Sequence, residues 1–185
     1  VELSVLSICR EQVFDLLSAA GVVDSTALVS GTTKAPLYDP LTLTYDATLE
    51  AVQVEGLTTH AVKGPSEAMQ LFARACVTAA TATGTGQLPA HTHLVLQINV
   101  TVTKDELSPP VTSRLNLVDL ASPDPALPDT DRANKATSSL RTVMSALSSN
   151  PTATNIPFDQ SKLTTLLRPS LTGGAKAMLI VNLCP

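Results

Sequence analysis

Arg114-Leu115-Asn116-Leu117-Val118-Asp119-Leu120-Ala121 is an apolar-rich run that ends in a carboxylate and then leaves regular structure. It predicts a strand with Asp119 at its carboxyl end. In open α/β sheets, ligands gather at the carboxyl ends of strands. An acid in that position is also how a Walker-B-type carboxylate is presented beside a nucleotide's magnesium. Taken alone, an Asp after a strand is commonly just a turn residue. Immediately upstream, Leu96, Ile98, Val100 and Val102 alternate with Gln97, Asn99, Thr101 and Thr103, the rhythm of a half-buried strand.

Working outward, Val1, Leu3 and Val5 alternate with polar residues and predict a first strand. Val13, Leu16 and Leu17 fall at i, i+3 and i+4, which predicts a short helix from Glu11 that ends near Gly21. Brief strands are expected over Ala51–Val54 and Thr59–Val62. Gly64-Pro65-Ser66-Glu67 starts a helix that runs to about Val77 and buries Met69, Phe72 and Cys76. Thr78 to Ala90 reads as a loop. Ala121 to Asp131 is a proline-rich acidic loop, and from Asp131 a helix places Leu140, Val143, Met144 and Leu147 on one face. After a loop from Asn150 to Pro157, a shorter helix carries Leu163, Leu166 and Leu167. Ala177–Leu183 is continuously apolar, as expected of a central strand buried on both faces. Interleaved strands and helices give an α/β class with a mixed sheet.

The 185 residues suit one domain of roughly 100–200 residues. A hydrophobic share of 44% with 15% charged residues excludes a disordered tail. Sixteen acidic against twelve basic residues argue against nucleic acid as a partner. No apolar run approaches the roughly 20 residues that span a bilayer, so no membrane partner is expected. Three cysteines, Cys9, Cys76 and Cys184, are too scattered for a disulfide framework or zinc knuckle, and Cys9 and Cys184 read as inert core residues. The chain begins without Met and directly in a strand pattern, which reads as an internal piece of a longer protein.

The phosphate-binding pattern G-x-x-x-x-G-K-[ST] is absent; Gly173-Gly174-Ala175-Lys176 has the wrong spacing and precedes a strand signal, so it reads as a turn. His91 and His93 lie two apart, but no third metal ligand is evident nearby. His60 has no assignable partner. Asn99-Val100-Thr101 is a glycosylation sequon that needs a secreted context the chain does not show.

The order of these segments resembles the kinesin motor domain. Val1-Glu2-Leu3-Ser4 through Arg10-Glu11-Gln12-Val13-Phe14-Asp15-Leu16-Leu17 is similar to the family's V-E-V-S…N-E-x-x-x-D-L-L. Leu115 to Ala121 matches its switch II run L-N-L-V-D-L-A. Val143-Met144-Ser145-Ala146-Leu147 matches the end of the switch II helix, with Asn134-Lys135 in its first half. Ile156-Pro157-Phe158, Ser161-Lys162-Leu163-Thr164 and Leu166-Leu167 match V-P-Y-R-D-S-K-L-T-R-L-L, and Ser170-Leu171, Gly173 and Lys176 continue the register. The resemblance implies a P-loop NTPase-related mixed sheet flanked by helices and incomplete in this chain. Residues 1–185 then form the C-terminal two-thirds of a single motor domain, with the P-loop upstream of Val1 and the closing helix beyond Pro185.

The departures fall on the switches. The family's N-x-x-S-S-R-S-H becomes Gly86, Pro89, Ala90, His91, Thr92 and His93, which removes both magnesium- and phosphate-binding serines. Switch II D-L-A-G-S-E becomes Asp119-Leu120-Ala121-Ser122-Pro123-Asp124. The Gly whose N–H senses the γ-phosphate is Ser122, and Pro123 pushes Ser122 toward extended geometry. The Arg–Glu pair of the two switches becomes His91 and Asp124. By the resemblance, ATP or ADP with magnesium, if bound, meets Asp119, Thr92, His93 and Ser122, with Asp119 acting on magnesium indirectly. No catalytic residue is identified. Lys135, Arg141, Lys162 and Arg168 are the implied microtubule-binding residues, although Asp159-Gln160 replaces the family's Arg-Asp before Ser-Lys-Leu-Thr.

Phosphoryl transfer rests on positioning and charge stabilisation, and losing one preorganised donor costs about 10²–10³ in rate. The expected function is therefore a microtubule-associated structural or adaptor domain, a pseudo-motor in a cytoskeletal assembly such as an axoneme, rather than an enzyme. Its partners would be tubulin and other cytoskeletal or axonemal proteins, and its place the cytoplasmic cytoskeleton, a cilium or flagellum included. The alternative is an active ATP-driven microtubule motor.

Overall fold

Strand β1 (Glu2–Cys9) buries every side chain from Leu3 to Ile8, so it runs through the middle of a sheet covered on both faces. The computed structural model describes residues 1–18, 39–81, 91–105, 108–150, 153 and 155–181. Gly86, Pro89, Ala90 and Cys184 lie outside them.

β2 (Gln12–Asp15) returns antiparallel to β1 through Arg10 and Glu11, whose φ angles are 49° and 65°. Two successive positive-φ residues form the turn whose twist matches the flanking strands of a tight hairpin. Asp15 then fixes the exit from the strand. Its Oδ1 accepts the Leu17 N–H at 2.8 Å and its Oδ2 the Thr58 N–H at 2.8 Å. The helix expected from Glu11 to near Gly21 is thus a strand over Gln12–Asp15 followed by a bend at Leu16 and Leu17, while residues 19–21 lie outside the described ones. Val13, Leu16 and Leu17 mimicked a helical stripe, but Val13 packs on one side of the sheet and the two leucines on the other.

β3 (Leu43–Asp46) and β4 (Ala51–Val54) make a separate two-stranded hairpin, and the short β5 (His60–Ala61) pairs with the start of β1. Helix α1 (Pro65–Thr81) follows, then β6 (Thr92–Val102), β7 (Val111–Asp119), α2 (Lys135–Ser149), a 3-10 turn over Phe158–Gln160 and α3 (Lys162–Leu171). The main sheet runs β2-β1-β6-β7, and every pairing among the described residues is antiparallel.

Strand alternation sorts the core into two layers. Leu6, Ile8 and Val95 meet Ala136 and Leu140 of α2 and Leu163, Leu166 and Leu167 of α3, with Leu43 and Val52 of the hairpin at the side. On the other face Leu3, Val5 and Leu94 meet Ala75 and Ala79 of α1, with Leu16 and Leu17. α1 runs one turn past the expected end. Phe72 and Cys76 are half-buried as the helix period requires, whereas Met69 is 63% exposed because it points away from the sheet.

α1 does not reach across β7, so Leu115 and Leu117 remain about half exposed on that face. The segment 177–181 departs most from expectation. It enters no sheet among the described residues, and Met178 and Ile180 are 87% and 76% exposed. An apolar run becomes a buried strand only when ladder partners flank it, and none of the described residues does so here.

α3 is anchored at both ends. Ser161 and Thr164 form a reciprocal capping box. The Glu11 carboxylate accepts the Lys162 N–H at 2.9 Å, so the β1–β2 turn caps the helix from across the chain. Near the other end, the Arg168 guanidinium lies 3.9 Å from the Tyr45 ring centroid and 5.3 Å from that of Phe158. This stack ties the β3–β4 hairpin to α3. Arg168→Ala is expected to lower stability by about 2 kcal/mol through lost cation–π contact and packing, with Arg168→Lys recovering part of it, as chemical denaturation would register.

Candidate functional site

The carboxyl end of β7 lies beside the start of β6, with Asp119 opposite Leu94. That register gathers Asp119, Thr92, His93 and Ser122 at one end of the sheet. Asp119 and Ser122 are exposed, Thr92 is half-buried and His93 is buried. Asp119 points toward the α1 side, where burial and then the Asp119 charge push the Cys76 thiol up. Among the described residues no group of three or more His, Cys, Asp or Glu side chains is arranged to hold a metal ion.

His93 is 1% exposed, and its Nδ1 accepts the Ala121 N–H at 3.1 Å, which places the ring proton on Nε2. Nε2 is buried with no hydrogen-bond partner among the described residues. Burial pushes the His93 pKa down to about 4, against a smaller upward pull from Asp119. The folded state thus binds this proton less readily than the unfolded chain. Its stabilising contribution is complete above the unfolded histidine value of about 6.5, erodes as pH falls from there, and is fully lost below about pH 4. The total loss is about 3 kcal/mol. Unfolding free energies measured across this range should show the decline, and His93→Gln should flatten it.

The loop that follows Asp119 is held by a residue the sequence marked only as part of the helix match. Asn134, 2% exposed, accepts the Asp124 N–H at 2.7 Å through Oδ1. Its Nδ2 donates to the carbonyls of Asp124 at 2.8 Å, Leu127 at 2.9 Å and, at 3.4 Å, Pro128. One side chain therefore satisfies backbone groups at both ends of the turn. His91, in the turn entering β6, has a φ of 64° and sets Nε2 3.7 Å from Asp124 Oδ2. The Thr92 hydroxyl and His91 Nδ1 are buried and have no hydrogen-bond partner among the described residues.

The four implied filament-binding cations are not equivalent. Arg141 pairs with Asp129 on an exposed surface. Arg168 is taken up by its aromatic stack. Lys135 begins α2 and Lys162 begins α3, and no ion pair among the described residues engages either. The β3–β4 hairpin packs beside α3 and brings acid with it: residues 39–59 hold Asp39, Asp46, Glu50 and Glu55 and no Lys or Arg.

Helices on both faces of the sheet, an acid at the carboxyl end of β7 and a following loop held by Asn134 make an α/β domain with a candidate site at one end of its sheet. The kinesin motor domain family model matches residues 1–185, and the chain belongs to that family. Kinesin-like protein 2 of Schizosaccharomyces pombe is 27% identical over 190 residues, covering 97% of this chain and 22% of the relative. Kinesin-like protein KLP1 of Chlamydomonas reinhardtii is 29% identical over 196 residues, covering 99% of this chain and 23% of the relative. Kinesin-like protein KIN-12G of Oryza sativa subsp. japonica is 31% identical over 196 residues, covering 98% and 14%. The chain thus spans well under a third of each of these relatives. Among solved structures, the C-terminal motor and motor homology domain of Kar3Vik1 fused to a synthetic heterodimeric coiled coil shares the fold. Its TM-score is 0.71 at 22% identity, covering 95% of this chain and 43% of that one.

Proposed function

We propose that this chain is part of a kinesin-like domain that binds microtubules as a static structural or adaptor module, without a working nucleotide cycle. The observation that carries this reading is the state of the loop after Asp119. Ser122 stands where a γ-phosphate sensor needs an unobstructed backbone N–H, and Pro123 stiffens the next step. Asn134 and His93 tie the loop down through protein hydrogen bonds of their own.

The residues fit a nucleotide only in part. Asp119 is exposed, a carboxylate of the kind that meets the water shell of a magnesium ion, whereas the Thr92 hydroxyl is buried. His93 Nδ1 is already committed to Ala121, and Ser122 is exposed. Ser122 and Pro123 in place of the family's Gly and Ser, with Pro89 and Ala90 in place of its two serines, support the reading without hydrolysis.

Two features support placing residues 1–185 as the C-terminal two-thirds of a larger motor domain. Among the described residues β7 pairs with β6 alone, and the run at 177–181 is exposed; both call for sheet partners. An assembly such as an axoneme, in a cilium or flagellum, is the setting that suits a permanently attached module. The alternative, an ATP-driven motor with its P-loop upstream of Val1, draws on the accessible Asp119. ATP turnover by the whole protein with magnesium and microtubules separates the two. Turnover at the no-enzyme background is expected; microtubule-stimulated turnover near 1 s⁻¹, the low end of typical enzyme rates of about 1–10³ s⁻¹, would establish the motor.

A further inference from the structure

We propose that the cleft between the β3–β4 hairpin and the main sheet binds a small organic carboxylate that also carries an ammonium or hydroxyl group. The sheet face that buries Leu6, Ile8 and Val95 under α2 and α3 turns polar further along the same strands. Ser4 lies opposite Gln97 across β1 and β6, and Asn99 lies opposite Arg114 across β6 and β7. The hairpin strand β4 and Thr59 form the facing wall, and the space between is about 300 Å³. That is the small end of the range for ligand sites, about 300–1,000 Å³, and suits a molecule of amino-acid or hydroxy-acid size. The cleft is distinct from the end of the sheet that holds Asp119, since Arg114 precedes that residue by about 16 Å along β7.

Ser4 and Gln97 are 2% and 4% exposed, so the floor of the cleft is made of buried polar side chains. Each has one protein partner and capacity to spare. Ser4 Oγ is 3.1 Å from Thr59 Oγ1, and one hydroxyl of that pair keeps its proton for another acceptor. Gln97 Nε2 donates to Asn116 Oδ1 at 3.1 Å, which leaves Gln97 Oε1 with no hydrogen-bond partner among the described residues. Arg114 supplies the positive charge, and none of the described acids forms an ion pair with it. Its Nε donates to Asn99 Oδ1 at 2.9 Å, which orients the guanidinium plane. The contact from Nη1 to the Val52 carbonyl, at 3.5 Å, lies at the limit of a hydrogen bond, so pinning the hairpin is a minor use of this side chain. Nη1 and Nη2 thus present the two-pronged edge that matches a carboxylate. Gln97 Oε1 on the floor and Glu55 on the hairpin wall are acceptors for the ligand's ammonium or hydroxyl.

Ligand-observed NMR on the whole protein tests the site, with L-glutamine and L-malate as separate probes and inorganic phosphate as competitor. Saturation transfer from the protein to at least one probe is expected, with a dissociation constant on the order of 1 mM. Transfer to glutamine alone would make the second group an ammonium, and to malate alone a hydroxyl. Arg114→Gln should weaken binding about tenfold or more. Asn99→Asp should do the same while keeping the fold, because its carboxylate retains the bond to Nε and neutralises the guanidinium. Transfer to neither probe, binding unchanged in either variant, or displacement by an equal concentration of phosphate would overturn the proposal.

Discussion

Asn134→Ala is expected to cost about 3 kcal/mol of stability, and Asn134→Asp more. Asn134 is buried and serves one backbone N–H and three carbonyls of the loop between β7 and α2. Alanine leaves these groups without partners in a partly dry site, at about 1–3 kcal/mol for each that water cannot reach. Aspartate keeps the acceptor for Asp124 N–H but turns a carboxylate oxygen toward the carbonyls of Asp124, Leu127 and Pro128. Repulsion then adds to the lost bonds, which sets the order. Chemical denaturation of the whole protein measures the cost, and hydrogen exchange should place the loosening at 121–128. Variants within about 1 kcal/mol of the parent would mean that the loop is held from elsewhere.

Charge reversal at both Lys135 and Lys162 is expected to weaken microtubule binding about tenfold or more at low salt, with the effect shrinking as salt rises. These are the two implied contact residues that the fold leaves without an ionic or aromatic partner among the described residues. The acidic hairpin beside α3 already offsets their steering of an acidic filament, so little cationic reserve exists to absorb the change. Arg168→Glu should behave differently. It breaks the stack with Tyr45 and Phe158, so lost binding there should follow lost stability. Co-sedimentation across a salt series, beside denaturation of each variant, separates the two effects. Equal binding by the double variant and the parent would remove the α2–α3 face from the interface.

Much of the fold was legible because its strongest signals are local. The alternation at 96–102 and the run 114–119 each specify a strand without reference to the rest of the chain, and both strands form. The leucines of α3 share one face for the same reason. β2 was not legible, because its turn uses Arg10 and Glu11 where Asn-Gly would have announced a hairpin. The segment 177–181 was misjudged because an apolar run signals what wants to be buried, not whether partners are in reach.

The candidate site divides along the same line. Asp119 could be placed from its strand alone. Asn134 could not, since an Asn before a helix looks like an ordinary cap, yet it makes no side-chain cap bond and instead binds the preceding loop. The withdrawal of Arg168 onto Tyr45 depends on a contact distant in sequence, which no local pattern encodes.

Microtubule co-sedimentation of the whole protein, with ATP and with a non-hydrolysable analogue in parallel, tests the central claim most directly. Equal pelleting in both, unchanged when nucleotide is removed, is the result expected of a static module whose loop after Asp119 does not respond to phosphate. Release by ATP but not by the analogue would show a working switch and contradict the account.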